Sequence, residues 1–551
     1  MRFLKKFATH AEYEAYMSGS SVAYPNISLC EEDCDVHVTD MGEVVDPDKY
    51  MKQYLTFIAL ADGTFKFSGI TTANTLSYSL NSGETWIELA HDTYTPTVSS
   101  GNSIMWKGTC TPLSASSTSY GIGKFLSTNN FDIEGNVMSL LYGDNYKFQT
   151  NLSGKDCAFS YLFSANTNVI NTQNTSLPAT VLSFNCYTSM FRGCSNLVTV
   201  PDLPATDLSG GKGCYGAMFN GCTSLTGVPS DYLPATTLSD NCYDSMFYNC
   251  SNLVTVPDLP ATDLSGGKSC YGAMFYNCTS LIGVPSDYLP ATTLSDNCYE
   301  YMFAGCTNLT SAPLSIGTSA TTMGYQSCMH MFYNCTSLTT APALPATTLA
   351  NSAYCYMFRS CTSLTTLPEL PATTLAPSCY CCMFLGCQRL TTAPELPATT
   401  LAPYCYWSMF QDCTLLTSVP GLPATTLVQG CYNGMFRGCT SLTSVPTNYL
   451  PVTTLASYCY WRMFYGCTSL TTAPDLPALT LTEQCYYGIF QGCKKLNHIK
   501  CLATNISASS CTTNWVSNVA SSGTFIKNPS MSSWTTGVNG IPSNWTVEDA
   551  T

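Results

Sequence analysis

Charge is scarce in this chain. Only 10% of its 551 residues are Asp, Glu, Lys or Arg, well under half the usual share of about 25%. The 21 basic residues are outnumbered by 35 acidic ones, for a formal net charge of -14. Binding to phosphate backbones needs clustered Lys and Arg, so nucleic acid is excluded as a partner class. No run of eighteen apolar residues occurs, so no membrane-spanning helix and no membrane insertion is expected. Histidine is nearly missing. His10, His37, His91, His330 and His498 are scattered, and no Ser-His-Asp or His-Glu constellation clusters or repeats. Catalysis finds little support, and no cofactor is implied. A glycosidase needs only two carboxylates, and spacing along the chain does not reveal such a pair.

No signal peptide is expected from the first residues either. Met1-Arg2-Phe3-Leu4-Lys5-Lys6-Phe7 has the right basic start, but Ala8-Thr9-His10-Ala11-Glu12-Tyr13-Glu14 stands where the apolar stretch should follow. The recurring LPATT lacks the Gly and the apolar tail of a sortase signal. The chain reads as one made and folded in a cytoplasm.

What the sequence does have is one phrase, repeated: C-Y-x-x-M-F-x-G-C-T-S-L-T-x-A/V-P-x-L-P-A-T-T-L. Its closing cysteines are Cys194, Cys222, Cys250, Cys278, Cys306, Cys335, Cys361, Cys387, Cys413, Cys439, Cys467 and Cys493, spaced by 28, 28, 28, 28, 29, 26, 26, 26, 26, 28 and 26 residues. A fixed period of this size predicts a solenoid, whose units bury their apolar faces only by stacking. With a first degenerate unit at Cys157-Ala158-Phe159-Ser160-Tyr161-Leu162-Phe163, the expected array is about 13 repeats, roughly 60 Å at the spacing of stacked parallel strands. Residues 195–250 and 251–306 agree at 48 of 56 positions, a tandem duplication that makes length itself adjustable.

Within a repeat, apolar residues at i, i+4 and i+8, with a second row at i+1 and i+5, predict that C-Y-x-x-M-F is a short helix. Leu338-Thr339-Thr340-Ala341 predicts a strand ended by Pro342, which has no N–H for a ladder. Leu344-Pro345-Ala346-Thr347-Thr348-Leu349 is an extended return. The extra residues of the 28-residue units, Ser209-Gly210-Gly211-Lys212-Gly213 and Ser230-Asp231-Tyr232, are corner loops. The expected fold class is therefore a mixed α/β solenoid, leucine-rich-repeat-like, preceded by a small antiparallel β-sandwich.

The 32 cysteines do not read as a disulfide framework. Eight residues on a helix span about 12 Å, beyond the roughly 7 Å that a disulfide tolerates. Ala165, Ser327 and Ala353 each replace one member of a pair and leave the other. A ladder of buried thiols is expected.

Four domains are expected. Residues 1–50 are a leader, with a short amphipathic helix over Phe3 to Met17 and a turn then strand at Ala23-Tyr24-Pro25-Asn26-Ile27-Ser28-Leu29. Residues 51–145 form the sandwich, with period-two strands at 54–60, 64–67, 76–80, 85–89 and 103–108. Ala61-Asp62-Gly63 and Asn81-Ser82-Gly83 are its hairpin turns. Residues 146–500 are the repeats. Residues 501–551, with Trp515, Trp534 and Trp545, cap the last repeat's apolar face.

The C-Y-x-x-M-F-x-G-C phrase followed by S-L-T-x-V/A-P resembles the BspA-like leucine-rich repeats of surface proteins from gut bacteria and protists. The resemblance covers about two-thirds of the chain, and Pro cuts each strand shorter than the general leucine-rich pattern. The leader, Lys6-Phe7-Ala8-Thr9-His10-Ala11-Glu12-Tyr13 with Tyr24-Pro25-Asn26-Ile27-Ser28, is similar to the start of virion proteins of phages infecting gut Bacteroidales. The resemblances imply a non-enzymatic virion surface protein, a fibre or a head or tail appendage. The leader would hold it to other virion proteins, and the repeats would face a host glycan or protein, with homo-oligomers allowed. Alternatives are a bacterial cell-surface adhesin, a polysaccharide-degrading enzyme and a purely architectural capsid or tail decoration.

Candidate sites follow from departures from the phrase. The x-x positions carry large aromatics in some repeats, Tyr301, Trp407, Trp461 and Tyr487, where others have Gly, Ala or Ser. Rings the repeat does not demand are candidate contacts for sugar or protein; the plainer reading is rings lying flat on neighbouring units. Cys30, Cys34 and His37 are three possible zinc ligands where a structural site wants four. Cys379, Cys381, Cys382 and Cys387 are dense, but two of them already belong to the phrase. Neither group is assigned a metal. Asp202, Asp231, Asp258, Asp287, Glu369, Glu395 and Asp475 would form a row, read as a solvated edge rather than a calcium site.

Overall fold

The computed structural model describes residues 5–7, 27–30, 36–38, 52–68, 75–90, 92–111, 122–318 and 321–551. Strands β1 (Lys5–Phe7), β2 (Ile27–Cys30) and β3 (Val36–Val38) form a sheet in which β1 and β2 are parallel and β2 and β3 antiparallel. The strand expected at Ile27 is there. Lys5–Phe7 is strand rather than helix; the rest of the helix expected in the leader lies outside the described residues.

Next come β4 (Leu55–Ala59), β5 (Phe65–Ser68), β6 (Leu76–Ser79), β7 (Ile87–Glu88), β8 (Ser103–Gly108), β9 (Lys124–Ser127), β10 (Phe131–Asn136) and β11 (Val169–Ser176). Six of them make one sheet in the order β11-β10-β4-β8-β6-β7, and β5 pairs with β9 in a second. Phe57, Phe65, Phe125 and Trp106 fill the space between the sheets, with Phe57 4.9 Å from Phe125 and 5.3 Å from Phe65. Asn81-Ser82-Gly83 joins the β6–β7 hairpin as expected. Ala61-Asp62-Gly63 does not make a hairpin. It carries the chain from β4 in one sheet to β5 in the other, because β4 is already paired on both edges by β10 and β8. β11 belongs to the first repeat and pairs in parallel with β10, so the sandwich and the repeats share a sheet. One hydrophobic core runs unbroken from Leu55 to Trp545.

The C-Y-x-x-M-F leg is not helical. Among the described residues the single α-helix is α1 (Ser139–Tyr142). The leg is a ribbon of four-residue turns with two alternating sets of bonds. Thr188 N–H donates to Asn185 and Met190 N–H to Tyr187, three residues back. Tyr187, Ser189 and Phe191 N–H donate instead to Cys214, Gly216 and Met218 of the next coil, at 2.8 to 2.9 Å. Asn185, Ser189 and Gly193 close the turns with φ of 52°, 56° and 74°. A left-handed residue every fourth position makes the chain direction repeat every four residues. Cys186, Tyr187, Met190, Phe191 and Cys194 therefore all face inward, with no relative exposure. An α-helix would drift by about 40° over each four residues and turn the last cysteine away.

The inward rings stack from coil to coil. A phenylalanine column runs from Phe163 through Phe303 to Phe490, with Phe163–Phe191 at 5.3 Å and Phe464–Phe490 at 6.0 Å. A tyrosine column beside it runs from Tyr187 to Tyr299, lapses at Cys328, and resumes from Tyr354 to Tyr486. Phe163 stacks on Phe191, so Ala158 and Asn166 stand at the cysteine positions of the first coil, not Cys157 and Ala165. The corner loop at Ser230-Asp231-Tyr232 drives Tyr232 inward between Phe219 and Phe247, 6.4 Å from each. Pro does cut the strands short: Thr340 and Thr366 meet in an isolated parallel bridge.

Thirty cysteines, from Cys110 to Cys511, are unpaired and buried. Each closing thiol has its own acceptor: Cys194 donates to the Phe163 carbonyl at 3.2 Å, Cys306 to Phe275 and Cys493 to Phe464 at 3.1 Å. Burial pushes the Cys306 thiol up to about 12, far from the thiolate that reacts. In denaturant without reductant, thiol titration should find most of the 32 cysteines free; a majority held in disulfides would overturn this ladder.

At the C-terminus, β12 (His498–Cys501), β13 (Thr524–Lys527) and β14 (Thr546–Asp549) form a parallel sheet. Trp515 continues the tyrosine column, 6.5 Å from Tyr486, and stacks on Trp534 at 5.5 Å. Its Nε1 donates to Gly540 O at 2.8 Å.

Candidate functional site

Because Cys, Tyr, Met and Phe fill the inside of each ribbon, the x-x positions and the residue after Phe are left facing out. These outward columns change from coil to coil. Tyr248 stacks on Tyr276 at 4.7 Å, Tyr276 meets Tyr301 at 6.0 Å, and Tyr301 stacks on His330 at 4.3 Å. His330 stacks in turn on Tyr356 at 4.7 Å. The Arg359 guanidinium covers Tyr333 and Tyr356 at 5.5 and 5.4 Å. Further along, Arg462 lies 4.3 Å over Trp461 and 5.4 Å from both Tyr465 and Tyr487, and Arg437 covers Tyr465 at 5.0 Å.

The four aromatics singled out from the sequence fall into three places. Tyr301 belongs to the first run. Trp461 and Tyr487 stack on each other at 5.7 Å in the second. Trp407 stands between the runs, 39% exposed, with Tyr404 edge-on at 6.1 Å. Three of the four thus lie flat against neighbours while keeping an outer surface half-exposed. The sequence reading missed His330, Arg359, Arg437, Arg462, Tyr333 and Tyr465. The signal for the last was present: the x of F-x-G-C carries Tyr or Arg in several repeats.

His330 is buried between two tyrosine rings with its Nδ1 unpartnered. Burial, helped by the Arg359 charge, lowers it from 6.5 to about 4. A depressed histidine contributes stability above pH 6.5 that is lost as pH falls through about 4. Melting temperature should drop across that window by the equivalent of roughly 2 kcal/mol, after allowance for solvent screening. His330→Phe should flatten the drop, and a slope unchanged by that substitution would remove His330 as its source.

The dense cysteines divide. Cys379 and Cys387 sit in the core ladder, whereas Cys381 and Cys382 form a small separate cluster with Cys355 of the previous coil. Cys381 Sγ lies 3.6 Å from Cys382 Sγ. The hydrogen bond from Cys381, with one from Tyr356 and the charge of Arg359, holds the Cys382 thiol below its usual value. Among the described residues no three His, Cys, Asp or Glu side chains gather as metal ligands. Cys34 lies outside the described residues. The acidic row breaks up: Asp475 is paired with Lys500 Nζ at 2.9 Å, while Glu369 and Glu395 line a shallow groove of about 520 Å³ at the Pro-rich corner. No described helix is long and apolar enough to cross a membrane.

A crystal structure of a leucine-rich repeat protein from Eubacterium ventriosum is similar at 14% identity, covering 64% of this chain and 92% of that one, with a TM-score of 0.29. The crystal structure of a TLR13–ssRNA13 complex is similar at 12% identity, covering 72% of this chain and 65% of that one, with a TM-score of 0.20. No curated protein matches. The family described as BspA type Leucine rich repeat region (6 copies) matches residues 214–319, 268–416, 330–471 and 406–527. These overlapping segments take in more than half of the sequence, and the chain belongs to the BspA-type leucine-rich repeat family.

Proposed function

We propose that this is a non-enzymatic surface-recognition protein, built as a solenoid of about thirteen coils that holds a variable outer face toward a host-cell glycan or protein. The observation that carries the reading is the division within each coil. Inward positions repeat Cys, Tyr, Met and Phe, while outward positions of the same ribbon range from Gly434 and Gly488 to Trp407, Trp461 and Arg462. A constant interior with an interchangeable exterior is the economy of a binding scaffold, and BspA-type repeats are typically such scaffolds rather than enzymes.

In its finer form the proposal places the protein on a phage virion, with residues 1–50 attaching it, residues 51–145 spacing it and residues 501–551 closing the stack. The support is the leader's resemblance to virion proteins of phages infecting gut Bacteroidales. The family match equally suits a bacterial surface adhesin. Immunodetection on purified particles and on intact uninfected cells separates the two. Deleting residues 1–50 should leave a folded protein absent from particles, and normal incorporation would refute the attachment role. Trp407→Ala with Trp461→Ala should leave incorporation intact and weaken cell binding by about 1–3 kcal/mol. Unchanged adsorption would move the contact elsewhere on the stack.

A further inference from the structure

We propose that the outward columns from Tyr333 to Tyr487 bind an acidic polysaccharide, with Arg359 and Arg462 taking its carboxylates and the neighbouring rings carrying its sugar faces. This rests on the recognition reading above and names the ligand class for it.

Three observations carry it. First, each guanidinium lies over more than one ring, Arg359 over two at 5.4 and 5.5 Å and Arg462 over three at 4.3 to 5.4 Å. Stacking of this kind pre-orients the planar fork that matches a carboxylate bidentately. Second, the forks are not used by the protein. Every ion pair among the described residues is made by lysine, and the buried Nε atoms of Arg359 and Arg462 have no hydrogen-bond partner. The Nε atoms themselves are enclosed, so an incoming carboxylate would meet the outer Nη groups of these half-buried side chains. The same orphan recurs at two coils, each beside tyrosines.

Third, the arginines gather. In a chain of net charge -14, Arg359, Arg437 and Arg462 share the outward columns. Glu369 and Glu395 line the Pro-rich groove, Glu483 accepts from Tyr458, Asp412 accepts from Gln411, and Glu300 stands before the stretch, beside Tyr301. Rings beside unpaired arginines suit a ligand with apolar C–H faces and dispersed carboxylates. Duplex DNA presents a denser line of charge, about one per 1.7 Å, than a polyuronate with one carboxylate per sugar; oligo(dT), with a spacing closer to the polyuronate's, tests whether the site reads sugar carboxylates rather than charge alone.

The test uses the full chain and three polymers: polygalacturonate, neutral dextran and oligo(dT). Polygalacturonate should bind, weakening as salt rises, while dextran and oligo(dT) should not. Arg462→Ala should weaken binding about tenfold, the scale of one charge-assisted pair, and Arg462→Lys less. The Arg359→Ala, Arg462→Ala double variant should lose binding at an unchanged melting temperature. Trp461→Leu keeps the arginine but removes the ring nearest to it, so it reports the sugar contact and the orienting of Arg462 together, and should also weaken binding. Absence of polygalacturonate binding, indifference to the double variant, or stronger binding to oligo(dT) would each overturn the proposal. Adsorption to cells that excess polygalacturonate does not inhibit would reject this ligand class and leave surface recognition standing. Polymer binding without cell adsorption would do the reverse.

Discussion

Phe303→Ala should divide the protein's unfolding into two transitions. Phe303 has no relative exposure and stacks on Phe275 and Phe332 at 5.6 Å each, with Tyr288 at 6.1 Å. Removing its ring deletes two links of the column at once and leaves a cavity between three coils. Buried Phe to Ala changes cost about 3–5 kcal/mol. In a stack where each coil contacts only its neighbours, that cost is concentrated at one interface. Calorimetry should resolve one transition for the parent and two for the variant, with the coils on either side melting separately. A single transition shifted downward would show that coupling extends well beyond nearest neighbours.

Gly324→Ala should destabilise by about 3 kcal/mol, an overpacking penalty at the upper end of the usual range. A Cβ at Gly324 would lie 2.3 Å from the backbone carbon of Ser295 and 2.6 Å from the Asp296 nitrogen. Backbone cannot rotate aside as a side chain can, so two coils would have to separate. The position precedes Ser327 and Cys328, where the tyrosine column lapses and the single 29-residue step occurs. Gly421→Ala is the matched control, because nothing lies within 4 Å of a Cβ there. Urea midpoints of the two variants check the expectation, and equal midpoints would refute it.

The period, the buried thiols and most strands of the sandwich were legible in the sequence because each follows from local alternation or strict repetition. The helical leg was misread for an identifiable reason. Apolar pairs at i, i+4 and i+8 fit both a helix face and a four-residue turn, and periodicity alone does not separate them over nine residues. The discriminating signal lay in the other positions. The left-handed columns hold Ser189, Ala217, Tyr301, His330, Cys382, Arg462 and Gly488, or Asn185, Asn241 and Ser269, and contain no Val, Ile or Thr. β-Branched residues are the ones that a positive φ excludes. The candidate site was half legible. Trp407 and Trp461 stand out as departures from the phrase, but Arg359 and Arg462 each also meet a ring a full coil away, Tyr333 and Tyr487, which linear spacing does not show. The pairing of β10 with β11 joins residues about 40 positions apart in sequence, and no local pattern announces it.

The turn ribbon's hydrogen bonds also give the stack an electrical direction. In the coil around Phe191, the N–H groups of Asn185, Tyr187, Ser189, Phe191 and Gly193 all donate forward, to the next coil, and none of these bonds runs backward. The same sense holds in the coils around Phe303 and Phe436. The other legs alternate: Thr236 N–H donates back to Thr206 while Leu208 N–H donates forward to Thr237. Peptide dipoles in the ribbon therefore add along the stack as they do along a helix axis, but reversed relative to chain direction. N–H groups gather toward the C-terminal end and carbonyls toward the N-terminal end. At the C-terminal end the outgoing donors are taken up within the chain, Asn514 N–H by Asn539 Oδ1 at 2.7 Å and Val516 N–H by Val538 O at 3.3 Å, so the closing segment answers the stack's direction as well as its apolar face.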